Sequence, residues 1–222
     1  MISKEKLDVL QKDAALAINS KTVYNKSIST QTPLFPEQIA GVQRGEPMTR
    51  RKANGGRPNP NYSKGGGYKV NCQSCVVSYE ARLRGYDVET LPNTPGSKLA
   101  ELMKQTNLAW IDPATGEAPS YMFDDSIDKA KDMLGFIEKT VEKGGRYTFE
   151  FAWNSRSLQG HIISMDRDSK GSLRLYDPQT GQTIMGSNIT KYLEKIRYSL
   201  TIDGNRIPMA PKILRVDDKL FN

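Results

Sequence analysis

From residue 68 onward the apolar positions follow a helical period first and a two-residue period afterwards. Cys72, Cys75, Val76, Tyr79 and Leu83 fall within about a third of a helix circumference, while Glu80, Arg82 and Arg84 flank or oppose them. This predicts a helix over 72–84, with Asn71 suited to cap it and Gly85 to stop it. Leu99, Leu102, Met103 and Leu108 predict a second helix over 97–109. Ile127, Ala130, Leu134, Ile137 and Val141 predict a third over 125–143, ending at Gly144 and Gly145.

The period then changes. Tyr147, Phe149 and Phe151 alternate with Thr148, Glu150 and Ala152, as in a half-buried strand. His161 to Met165 and Ser172 to Tyr176 read as two further strands, the latter closed by a turn at Asp177-Pro178-Gln179-Thr180-Gly181. A short helix over 187–198 and a last strand over 212–216 complete the pattern. Helices first and antiparallel strands afterwards predict an α+β fold with a segregated sheet.

Before residue 68 the order is different. Leu7, Leu10, Ala14 and Ile18 are spaced for a short amphipathic helix over 1–19. From 20 to 67, Pro33, Pro36, Pro47, Pro58 and Pro60 and repeated glycines interrupt any regular element, which predicts a linker or a loosely wrapped lead-in strand. Charge draws the same boundary. Residues 1–70 carry 12 Lys and Arg against 5 Asp and Glu, whereas residues 71–222 carry 20 against 20, so the net +7 lies wholly in the first third. That is a basic leader on a neutral body, suited to docking on a polyanion or a structural partner rather than a base-reading surface on the fold. The expected division is a leader or arm over 1–47 and a catalytic domain over 48–222.

Composition narrows the chemistry. No run approaches the roughly 18 apolar residues that a membrane span needs, and the first 30 residues lack a signal-peptide core. The expectation is therefore a protein with no membrane partner, cytoplasmic in its producer. Two cysteines and one histidine cannot make a disulfide framework and fall short of a structural zinc set. In the first turn of a helix capped by Asn71, the Cys72 thiol would lie at the positive end of the helix dipole, which favours thiolate. Cys75, a turn later, has less of that field. If strands 161–165 and 172–176 pair as a hairpin, His161 and Asp177 become neighbours, and a carboxylate beside an imidazole fixes its tautomer and steadies the imidazolium.

Asn71-Cys72-Gln73-Ser74-Cys75-Val76-Val77, continuing through Tyr79 to Val88, with Gly160-His161-Ile162 and Asp177-Pro178-Gln179-Thr180-Gly181 downstream, resembles the papain-fold toxin domains of bacterial polymorphic toxins and phage head-associated proteins. The likeness covers about residues 48–218, including Asn59-Pro60-Asn61-Tyr62. It implies a papain-like fold with N-terminal helices on an antiparallel sheet, and a glutamine deamidase acting through Cys72, His161 and Asp177 without metal or organic cofactor. Cys-Gln-Ser-Cys also looks like the Cys-Gly-Ser-Cys of plant-type papain proteases, in which the second cysteine attacks, so Cys75 stays open as nucleophile. The Cys72 backbone amide and the Asn71 side chain are the candidate oxyanion donors. No role follows for Gln179.

The resemblance implies a protein substrate bearing a target glutamine, an immunity protein, and delivery to a target cell or carriage in a virion. A protease or transglutaminase on the same triad, and a non-enzymatic virion-associated protein, stay open beside the deamidase.

Overall fold

The structure is a computed structural model in which residues 18–20, 42–55, 58–94, 105–156 and 159–222 are described. Of the expected amphipathic helix over 1–19, residues 1–17 lie outside the described residues, as do 97–104 of the expected second helix. The chain forms two compact units. The first takes residues 1–119, 178–181 and 218–222, and the second takes 120–177 and 182–217.

In the first unit, strand β1 (Ile18–Ser20) pairs antiparallel with β2 (Val88–Thr90), so the last residues of the expected N-terminal helix are extended. Helix α1 (Arg50–Gly55) precedes α2 (Cys72–Leu83), which starts and ends close to the predicted bounds. The one-sided amphipathic helix expected here is instead buried nearly all round, since ten of the twelve residues of α2 are buried, including Ser74, Ser78, Glu80 and Arg82. Its charges are tolerated because they are matched: Glu80 binds Arg84 at 2.8 Å, and Arg82 Nε donates to the Ala53 carbonyl at 2.8 Å while its guanidinium pairs with Asp87. Gly85, at φ 104°, ends the helix, and a Cβ there would stand 2.2 Å from the Gly45 carbonyl oxygen.

Within the described end of the predicted 97–109 helix, Thr106–Ala109 forms a short 3-10 turn. It leads into β3 (Trp110–Ile111), which pairs with β12 (Leu220–Phe221). Trp110 lies against Phe221 with ring centroids 5.0 Å apart, and the Arg84 guanidinium covers the Phe221 ring at 4.6 Å.

The second unit is a six-stranded antiparallel sheet with two helices. Helix α3 (Ala130–Thr140) is followed by β4 (Arg146–Trp153), β5 (Gly160–Arg167), β6 (Leu173–Asp177) and β7 (Gln182–Met185). Helix α4 (Asn188–Leu193), β8 (Ile196–Arg197), the hairpin β9 (Ser199–Ile202) and β10 (Asn205–Pro208), and β11 (Lys212–Arg215) follow. The sheet order is β11-β4-β5-β6-β7, with β8 pairing on β4.

Alternation decides which side chains meet. Tyr147, Phe149 and Phe151 of β4 stand opposite Met165, Ile163 and His161 of β5, and Leu175 of β6 opposite Met165. His161 apart, these residues form one core with Met133, Ile137 and Val141 from the α3 segment and with Ile189 and Leu193 of α4. Truncating fully buried Phe149 to alanine would cost about 3–5 kcal/mol. Both predicted helices here are shortened. Residues 125–129 stay in a turn, where Ser126 donates its backbone N–H and its hydroxyl to Asp124 Oδ1 at 2.9 and 2.6 Å. The predicted 187–198 helix stops at Leu193, because Ile196 and Arg197 pair with Trp153 and Ala152.

Candidate active site

The start of α2 carries both cysteines, and their surroundings differ. Cys75 is fully buried, its Sγ 3.5 Å from Asn71 Oδ1 and 3.8 Å from Thr90 Oγ1. Cys72 keeps 7% of its surface exposed, with Sγ 3.5 Å from Gln73 Oε1. A nucleophile must reach substrate, so this part of the geometry favours the first cysteine.

Asn71 occupies the N-cap position, but no hydrogen bond from its side chain reaches the helix amides. The expected capping bond is replaced by interior ones. Asn71 Nδ2 donates to the Leu91 carbonyl at 3.1 Å and to Thr90 Oγ1 at 3.3 Å, with Asn59 Oδ1 at 3.5 Å. Asn71 Oδ1 accepts from Gln179 Nε2 at 3.1 Å and from Asn59 Nδ2 at 3.3 Å. With its N–H groups committed to these acceptors, Asn71 is a poor oxyanion donor, and the Cys72 backbone amide remains the candidate. Asn59 Nδ2 also donates to the Tyr68 and Gln179 carbonyls, at 2.8 and 3.2 Å, and Thr90 Oγ1 donates to the Pro58 carbonyl at 2.8 Å.

In the second unit, His161 and Asp177 meet as the hairpin argument expected. The β5 and β6 register pairs Ser164 with Tyr176, which brings Asp177 past the end of the ladder, diagonal to His161 on the same face. His161 Nε2 and Asp177 Oδ2 are 3.2 Å apart, and both residues are buried. Trp153 stacks on the imidazole, with centroids 5.5 Å apart and planes 25° apart, and Phe151 meets its edge at 5.7 Å. These aromatic neighbours come from β4 through strand pairing, which the local sequence around His161 does not signal.

Among the described residues, no group of three or more His, Cys, Asp or Glu side chains could hold a metal ion. Nor is any helix among them long and apolar enough to cross a membrane.

A helix that opens on a cysteine, together with an antiparallel sheet carrying a His–Asp pair, defines an α+β papain-like protein. Residues 70–182, just over half of the chain, match the family described as papain fold toxin 1, glutamine deamidase, and the chain belongs to that family. The matched segment includes Cys72, His161 and Asp177. A variant of the Salmonella effector SpvD is a solved structure similar to this chain, with 11% identity over 97% of this chain and 95% of that one and a TM-score of 0.45. None of the curated proteins compared matches the chain.

Proposed function

We propose that this protein is a cysteine-dependent deamidase that converts glutamine side chains of a target protein to glutamate, acting as a toxin or effector. The observation that carries the reading is the family membership over a segment that includes Cys72, His161 and Asp177. The His161–Asp177 pair at 3.2 Å supports it, because it supplies an oriented base.

In this mechanism Cys72 is the nucleophile, His161 the acid and base, and Asp177 the orienting acid. Asp177 engages Nε2 of the imidazole, so Nδ1 is the nitrogen that would exchange protons with Cys72 and substrate. The thiolate attacks the carboxamide carbon, and the C–N bond breaks as the imidazolium passes its proton to departing ammonia. The resulting thioester is hydrolysed by a water that gives a proton to His161, releasing glutamate and free thiol. The Cys72 amide stabilises the oxyanion at both stages. Nothing in this sequence of steps calls for a metal or an organic cofactor.

Incubation with glutamine-bearing proteins, followed by peptide mass spectrometry, tests the reaction. Deamidation adds about 1 Da per glutamine through the thioester route, whereas fragments mean proteolysis and amine adducts mean acyl transfer. The reading fails if wild-type and Cys72→Ala proteins give the same products. An immunity protein would be a partner that blocks access to Cys72, and the basic leader over 1–47 is proposed to dock on a polyanion or a structural partner.

A further inference from the structure

Three motif residues far apart in sequence, Asn59, Asn71 and Gln179, are gathered into one buried amide cluster next to the start of α2. All three are more than nine-tenths buried, and Thr90, equally buried, closes the cluster. The cluster converges on Asn71 Oδ1, which accepts from Gln179 Nε2 at 3.1 Å, Asn59 Nδ2 at 3.3 Å and Cys75 Sγ at 3.5 Å.

An asparagine at an N-cap ordinarily turns its carbonyl oxygen onto the first-turn amides. Here φ −111° and ψ 28° at Asn71 go with the absence of any such bond. A capping oxygen would set a partial negative charge beside the Cys72 thiolate and compensate the helix terminus that stabilises it.

We propose that Gln179 is a positioning residue: by holding Asn71 Oδ1 in the buried cluster it keeps that carbonyl off the α2 amides and reserves the helix terminus for Cys72. The proposal rests on the reading of Cys72 as the nucleophile. It also gives Gln179, in the Asp-Pro-Gln-Thr-Gly turn, a function through Asn71 rather than through substrate.

The test is the rate of Cys72 alkylation by iodoacetamide in the full chain, mapped by peptide mass spectrometry and expressed relative to wild type at the same pH. Gln179→Leu removes the donor and should slow alkylation about tenfold at pH 8. Gln179→Glu supplies a control for folding damage. Its carboxyl can donate to Asn71 Oδ1 when protonated and repels that oxygen when ionised, while Asn59 and Asn71, both bonded to residue 179, stay uncharged. Relative alkylation should be near wild type at pH 5 and about tenfold lower at pH 8. Asn71→Ser, too short to reach Gln179 but able to cap, should be slow at both pH values.

A Gln179→Glu ratio that is the same at both pH values overturns the proposal, and so does wild-type alkylation in Asn71→Ser. Alkylation needs no substrate, so failure of the deamidase reading shows separately, as a wild-type chain whose Cys72 alkylates normally but which deamidates no glutamine.

Discussion

His161 Nε2 lies 3.2 Å from Asp177 Oδ2, one residue beyond the last rung between β5 and β6. The sheet register therefore sets the ring's orientation, and the carboxylate sets its tautomer. Asp177→Asn keeps size and a hydrogen bond but cannot support an imidazolium. Deamidation should fall by about two to four orders of magnitude with the fold unchanged by circular dichroism. Because His161 is the chain's one histidine, its imidazole signal can be followed directly by NMR. Full activity in Asp177→Asn would remove Asp177 from the mechanism.

Cys72→Ala should abolish deamidation and leave the fold intact, since only one small side-chain atom is removed. Cys75→Ala should retain activity but lose about 1–2 kcal/mol, because it opens a small hole in a fully buried site beside Asn71 and Thr90. Trapping of an acyl adduct by mass spectrometry decides the assignment, and an adduct on Cys75 with none on Cys72 would reverse it.

The parts of this architecture written in local periodicity were legible in the sequence. The helix from Cys72 to Leu83 and the strands holding Tyr147 to Phe151, His161 to Met165 and Leu173 to Tyr176 all follow from spacing. Lys212–Arg215 also follows, and so does the His161–Asp177 meeting, because a hairpin converts sequence distance into register. What depends on partners distant in sequence was not legible. Nothing local announces that Ile196 and Arg197 leave the helical pattern to pair with β4, or that Phe221 packs on Trp110. The apolar pattern of α2 shows one face, yet its charged residues are buried too, Glu80 against Arg84 one turn on and Arg82 against the distant Ala53 carbonyl. Gln179 reads as a turn residue until its bond to Asn71, 108 positions away, is seen.

Alkali should act on the second unit through its tyrosines. Burial pushes the Tyr198 phenol up, and burial likewise raises Tyr147 despite the lowering effect of the hydrogen bond from the Glu142 backbone N–H. In both cases the folded state holds its proton more tightly than the unfolded chain. Their contribution to stability is thus complete below about pH 10 and is lost as pH rises through the folded values. The Tyr198 hydroxyl donates to the Leu193 carbonyl at 2.9 Å, so Tyr198→Phe should cost about 0.5–1.5 kcal/mol at pH 7. The same variant should lose less additional stability than wild type between pH 9 and 11. Parallel alkaline curves for the two proteins would show that Tyr198 does not drive the loss.

The leader invites two truncations. Charge and proline content predict that residues 1–47 are a detachable arm, whose removal lowers the pI and leaves an active domain. Contacts within the first unit separate one part of that stretch from another. Val42 packs on the cluster of Ala81, Tyr86 and Val88, Gly45 N–H donates to the Gly85 carbonyl at 2.9 Å, and Arg44 Nε donates to the Arg84 carbonyl at 2.8 Å. Ile18–Ser20 pairs with Val88–Thr90. Deleting residues 1–17 keeps all of these contacts and serves as the reference for the longer deletion. Deleting 1–47 removes the strand and the contacts around Gly85, and should lower the midpoint by more than about 5 °C, equivalent to roughly 1–2 kcal/mol for a chain of this size. Differential scanning calorimetry of both proteins distinguishes the outcomes. Equal midpoints would make the whole of 1–47 a detachable arm, whereas a drop in the longer deletion alone places the start of the catalytic domain before residue 48.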